Sequence, residues 1–254
     1  MVYLSDLLYG RCMTSELNDA LVRDWVTGWA RTHDYDVSHE GNVHSALRAG
    51  DSDEWEYVIY APEGSDLRKA ASSVAKSPKR LLTIISGPDD ETADSEIEDA
   101  EIDGLELISD EEKLMVVDMD TQDVEDPITP EGFTTQREDF EGWTLFTVLH
   151  GEGAEAQVAA RGRVAVVGSY AILDRIFTSP DYRRQGLGTF VTRALIAIAL
   201  EQDVEEGLLV ATEDGRELYE YLGWTLLGEV RVFGAPGAQS TRSSSHSQFD
   251  DLAR

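Results

Sequence analysis

With 254 residues, 41% of them hydrophobic and 28% charged, the chain is long enough to bury one or two cores. Its formal net charge of −29 works against nucleic acid as a direct ligand; it suits cationic acceptors, or reflects an acidic, salt-adapted or high-GC proteome, with only four lysines among 21 basic residues. No run is apolar enough to span a bilayer, no basic region precedes an apolar one at the start, and the single Cys12 excludes an internal disulfide and has no partner for a zinc pattern. A cytoplasmic protein with no metal and no membrane partner is expected.

In chain order, Leu17, Leu21, Trp25, Val26 and Trp29 recur near helical spacing and predict a helix. Trp55 to Tyr60 reads as a strand, Leu67 to Ala75 as a helix and Leu81 to Ile85 as another strand, giving an α/β lobe over residues 1–88. His33, His39 and His44 lie irregularly in a polar segment and are expected on the surface rather than as metal ligands. Between Asp89 and Glu112 there are 13 acidic residues and no Lys or Arg, which predicts a solvated linker over 89–112. Leu114 to Asp120 resumes as a strand and opens a second unit, residues 113–235. Phe133 to Trp143 carries no recognisable pattern, and Thr144 to Leu149 reads as a strand with His150 at the turn.

The most informative stretch follows. Ala171 to Phe177 is apolar with a β-branched bias, Pro180 stops it, and Leu187, Phe190, Val191, Ala194, Leu195 and Ile198 then form one helical stripe. Between strand and helix lies Ser179-Pro180-Asp181-Tyr182-Arg183-Arg184-Gln185-Gly186-Leu187-Gly188. Gly186 and Gly188 allow close backbone approach, the first-turn amides of the helix lack intrahelical partners, and two arginines add charge. Such a loop holds a pyrophosphate at a helix start, or is a plain turn with two solvated arginines. A second buried strand, Gly207 to Ala211, precedes Thr212 to Trp224, where Asp214 and Glu217 approach a capping box and Gly223 suits the position past a helix end. Residues 236–254 form a Ser-rich tail without periodicity, expected to be disordered.

These blocks together resemble the GCN5-related N-acetyltransferases (GNAT superfamily). The family's pyrophosphate signature is matched by Arg183 to Gly188, and its last helix by Leu218-Tyr219-Glu220-Tyr221-Leu222-Gly223-Trp224. Ala160 to Gly168, Asp174 to Thr178 and Val210 to Gly215 look like a bacterial branch of undefined substrate. The resemblance is strong over about 143–233 and implies a GNAT-type mixed, splayed β-sheet flanked by helices, preceded by the smaller α/β lobe, which is either a degenerate GNAT-like unit or an unrelated module. It implies acetyl-CoA as co-substrate and a primary amine as acceptor, attacking directly in a ternary complex. Ile176, Phe177 and Thr178 match the positions that contact the carbonyl and pantetheine; Arg183, Arg184, Gln185, Gly186, Leu187, Gly188 and Thr189 match the pyrophosphate cradle. Asp174 matches the base, or pairs with Arg175 or Arg163; Tyr219 matches the acid that protonates the thiolate, or packs in the core. A non-catalytic acyl-CoA sensor is the alternative, and a homodimer stays open. The catalytic unit lacks the two helices that follow the family's first strand, so another element must cover that face.

Overall fold

The computed structural model describes residues 15–48, 53–61, 64–88, 102, 104–122, 127–151 and 153–239. Cys12 and the tail from 240 onward lie outside the described residues, as does most of the segment 89–103.

Among the described residues eleven strands, numbered β1 to β11 in chain order with the ranges given below, form one mixed sheet in the order β1-β2-β3-β4-β11-β5-β10-β9-β8-β7-β6. Helix α1 (Asp19–Thr32) starts at Asn18, whose side chain accepts from the Leu21 amide, satisfying one of the orphan donors of a helix start. The antiparallel strands β1 (Asp36–Glu40), β2 (Val43–Leu47) and β3 (Trp55–Tyr60) follow; helix α2 (Gly64–Val74) then crosses to β4 (Leu81–Ser86), parallel to β3. Burial alternates along β2, while β4 is buried throughout, as suits a strand with elements on both faces.

Strand β5 (Glu106–Asp118) runs antiparallel between β11 (Thr225–Gly234) and β10 (Glu206–Ala211). Residues 106–112, assigned to a linker from their charge, are therefore sheet: their backbone pairs with β11 while most of their acidic side chains face solvent. The strand stops at Asp118, because Met119–Thr121 turn into a 3-10 helix capped by the Asp118 carboxylate. Strands β6 (Phe133–Phe140), β7 (Trp143–His150), β8 (Gln157–Val167) and β9 (Tyr170–Thr178) form an antiparallel series. Helix α3 (Leu187–Ala199) connects β9 to its parallel neighbour β10, and helix α4 (Glu213–Tyr221) connects β10 to β11. The β3-α2-β4 connection repeats the form of β9-α3-β10, a helical crossover between parallel neighbours.

Two cores lie on opposite faces of the sheet. On one, α3 buries Leu187, Phe190, Val191 and Leu195 against Val148, Ala160, Val164 and Leu173. On the other, α1 packs Leu21, Trp25, Val26 and Trp29 over Leu114, Val116, Ile172 and Leu208. A two-residue turn, Glu141 and Gly142, joins β6 to β7 with no helix between them, so the face that needed a cover receives α1 from the start of the chain. The two lobes share a sheet through β4 and β11.

Candidate active site

The site begins where two parallel strands part. β9 and β10 are paired only at Tyr170–Glu206, Ala171–Gly207 and Ile172–Leu208; beyond Ile172 and Leu208 their ladder ends. Opposite this opening, β8 and β9 slip register: Arg163 faces Asp174 and Arg161 faces Phe177, so Arg175 and Ile176 oppose Gly162 alone. This is a β-bulge, with Arg175 at φ 49 in the left-handed region. A Cβ on Gly162 would stand 2.7 Å from the Leu195 side chain and 2.9 Å from Val191, so a larger residue there would force side chains of α3 to shift.

The resulting cleft is lined by Trp25, Trp29, His33, Asp174 and Glu112 toward α1, and by Leu173, Leu209, Gly215 and Tyr219 toward α3 and α4. Its lining residues come from both faces of the sheet.

The glycine loop lies between the end of β9 and the start of α3. Pro180–Tyr182 form a 3-10 turn, Arg184 has φ 62, and Gly186, the N-cap of α3, has φ 78. Phe190 is the first amide to bond within the helix, to the Gly186 carbonyl. By helix geometry the amides of Leu187, Gly188 and Thr189 are left facing the loop, with no capping side chain and no acidic residue in the first turn. A Cβ on Gly188 would come within 3.0 Å of Leu218, tying this turn closely to α4. Arg183 and Arg184 are both exposed, and Ile176 lines the cleft, with Phe177 and Thr178 completing the strand toward the loop. Of the residues expected to hold coenzyme A, Ile176 lines the cleft, whereas Arg183 to Thr189 lie beyond the end of β9 and are not among its lining residues.

Asp174 and Tyr219 both line that cleft. The Asp174 carboxylate accepts from the Thr32 hydroxyl at 2.9 Å and from His33 Nε2 at 2.7 Å. Neither Arg163 nor Arg175 is its closest partner: Arg163 donates to the Thr32 carbonyl and lies over the Trp143 ring, and Arg175 approaches the His33 ring. Burial works to raise the Asp174 pKa, but the His33 ring, the Arg175 guanidinium and the Thr32 hydroxyl outweigh it and hold the carboxyl well below the usual range. Tyr219 is 8% exposed and sits edge-on to Trp224 in the α3-side core. Burial, with the Asp174 charge adding, pushes its phenol upward, so the hydroxyl stays protonated. The cap of α4 is Thr212, whose hydroxyl accepts from the Gly215 amide, rather than Asp214; Gly223 follows the helix at φ 88.

Two histidines differ from expectation. His33 is the C-cap of α1 with a side chain only 9% exposed, and His44 on β2 is fully buried beside His39 and Asp19. The apolar spacing of α1 locates the helix, but not which sheet face it meets, so the polar residues around His33 read as surface. Among the described residues no cluster of acidic, His or Cys side chains is arranged to hold a metal, and no helix is long and apolar enough to cross a membrane.

Parallel strands splayed beside a bulge, with a glycine-started helix over the gap, define an acetyltransferase type of α/β fold. Residues 114–224 match the model of the Acetyltransferase (GNAT) family, so this stretch of the chain is a GNAT acetyltransferase domain. A GCN5-related N-acetyltransferase from Kribbella flavida is similar in structure at 14% identity, TM-score 0.63, over 88% of this chain and 97% of that one. A tandem GNAT protein from the clavulanic acid biosynthesis pathway is similar at 14% identity and TM-score 0.52, over 78% of this chain and 81% of that one. A GCN5-related N-acetyltransferase from Sphaerobacter thermophilus is similar at 12% identity and TM-score 0.50, over 79% of each chain. At these identities the likeness is one of fold. No curated protein matches the chain. The family carries out acyl transfer with acetyl-CoA as co-substrate.

Proposed function

We propose that this chain transfers an acyl group, acetyl by default, from coenzyme A to a primary amine. The observation that carries the reading is the division of the cleft: an ionised Asp174 lies on the α1 face and a protonated Tyr219 is buried in the core on the other, with the strand opening between them. The co-substrate supplies a thioester carbonyl activated for attack by nitrogen. The chain must supply three things: an anion cradle, removal of a proton from the amine, and a proton for the departing sulfur.

The loop Arg183 to Thr189 suits the first, with backbone donors and two guanidinium groups. Asp174 and its neighbours suit the second, as an anionic site at which an ammonium is attracted and deprotonated. Tyr219 suits the third, because its raised pKa keeps the proton available across the neutral range. Ile176, Phe177 and Thr178 sit where an extended chain would pass from loop to cleft. Much of the acceleration would come from holding both reactants in this opening.

The test is thiol release from acetyl-CoA over a panel of amines, with calorimetric binding of acetyl-CoA alongside. Turnover on one or more amines supports the reading; binding without turnover on any would favour a sensor. Tyr219→Phe is expected to keep acetyl-CoA affinity and lower kcat by about 10²-fold.

A further inference from the structure

We propose that His33, carried on α1, takes the proton from the acceptor amine, and that Asp174 is the residue that positions it. The inference deepens the N-acyl transfer reading and rests on it.

A carboxylate accepts only, so the 2.7 Å contact between His33 Nε2 and Asp174 Oδ2 requires the ring to carry its proton on Nε2. Nδ1 is then the basic nitrogen. It lies 3.3 Å from Arg175 Nη2, a donor; Arg175 Nε also approaches Nε2, at 3.4 Å, but the 2.7 Å contact with the carboxylate is much the shorter and sets the tautomer. The Thr32 hydroxyl at 2.9 Å fixes the same carboxylate oxygen, so Asp174 is oriented from two consecutive residues of α1. The His33 ring is itself held between Trp29 at 5.3 Å and Tyr35 at 4.9 Å between centroids, and it lines the cleft.

The charges agree with this division of labour. The groups facing His33 are Asp174 and Arg175 from β9, Arg163 from β8, and Tyr35 just beyond α1. Burial presses the imidazole toward its neutral form and Arg175 and Arg163 add to this, while Asp174 pulls the other way. A neutral imidazole can accept a proton at neutral pH. A carboxyl held far below its usual range is a weak base but a good partner for an imidazolium.

In the reaction, an ammonium entering from the α1 face replaces Arg175 as the donor to Nδ1 and gives that nitrogen its proton. The free amine attacks the thioester carbon; the N–C bond forms, the C–S bond breaks, and the sulfur takes its electron pair and the Tyr219 proton. The proton that nitrogen loses as the amide forms restores Tyr219, and the one on His33 leaves to solvent, hastened by Arg175. One proton is released overall.

The test compares wild type, His33→Gln and Asp174→Asn by thiol release from acetyl-CoA across pH 5 to 9, using whichever panel amine turns over fastest. His33→Gln is expected to lower kcat/KM by about 10²-fold or more and to abolish the acid limb of the profile, with acetyl-CoA affinity and cooperative melting retained. Asp174→Asn is expected to keep a limb, moved to lower pH, because the carboxylate no longer supports the imidazolium. If His33→Gln leaves the rate and limb unchanged and only Asp174→Asn suffers, Asp174 is itself the base and the proposal is overturned. Nitrogen-15 NMR of the unsubstituted protein decides independently of any acceptor. His33 protonated on Nε2 and neutral at pH 7 supports the proposal, and a ring protonated on Nδ1 overturns it. Failure of every amine in wild type would strike the acyl-transfer reading instead.

Discussion

Asp174 links catalysis and stability at a single side chain. Its folded pKa is depressed, so its contribution to stability is fully present above the unfolded value near 4 and is lost as pH falls toward the folded one. His33 acts in the same direction over a higher window: its folded pKa is also depressed, so its share is present above about 6.5 and declines as the unfolded ring takes up a proton. Asp174→Asn replaces the charged acceptor of two hydrogen bonds with a neutral amide oxygen and should cost about 1–3 kcal/mol at pH 7. Thermal melts of wild type and variant from pH 7 down to pH 3 check this: the gap in stability should persist to about pH 4 and narrow below it. A gap independent of pH would show that packing, not charge, is lost. Asp174 itself was readable as a site residue, since it lies in the strand beside the glycine loop. Its partners were not, being 141 and 142 positions away in sequence.

At the level of elements, α1 covers one face of the sheet, over Leu114, Val116, Ile172 and Leu208. Its close approach depends on Gly28: a Cβ there would meet Ile172 side-chain atoms at 2.7, 2.7 and 2.9 Å. Gly28→Ala therefore introduces overpacking of about 1–3 kcal/mol, set against roughly 1 kcal/mol that alanine gains over glycine in a helix. The expected result is a lower midpoint in denaturant together with a fall in acyl transfer larger than the loss of stability explains, because α1 carries His33 and Thr32. Unchanged activity in a destabilised variant would separate α1 from the chemistry. The periodicity of Leu17 to Trp29 located this helix, and that of Leu187 to Ile198 located α3, since amphipathic spacing is local. Charge misled at 106–112, where backbone pairing with β11 holds a strand whose side chains alone would not order it.

Across the whole molecule, the two lobes are joined through one sheet rather than by docking of finished domains. β4 pairs with β11 along six residue pairs, from Glu229–Ser86 to Gly234–Leu81, and α1 buries Leu114, Ile172, Leu208 and Val230. A fragment of residues 104–239 would expose this face together with the free edge of β11. It is expected to aggregate or to lack cooperative melting. A soluble fragment with a sharp thermal transition would show instead that the second unit folds alone. The division of the sequence at its acidic run marks a change in composition, and the hydrogen-bond ladder crosses between the two parts further along.

What the sequence determined by itself was whatever chemistry sits in consecutive residues. The strand, the Arg183 to Gly188 loop, the α3 stripe and Tyr219 on the last helix make a recognisable order because turns, helix starts and periodicity are set by neighbours in the chain. Only the tertiary structure decided that a helix from the first lobe closes the cleft and brings His33 to Asp174. That contact depends on the packing of α1 against β9, a long-range burial of apolar surface that could be met on either face of the sheet as far as local pattern goes.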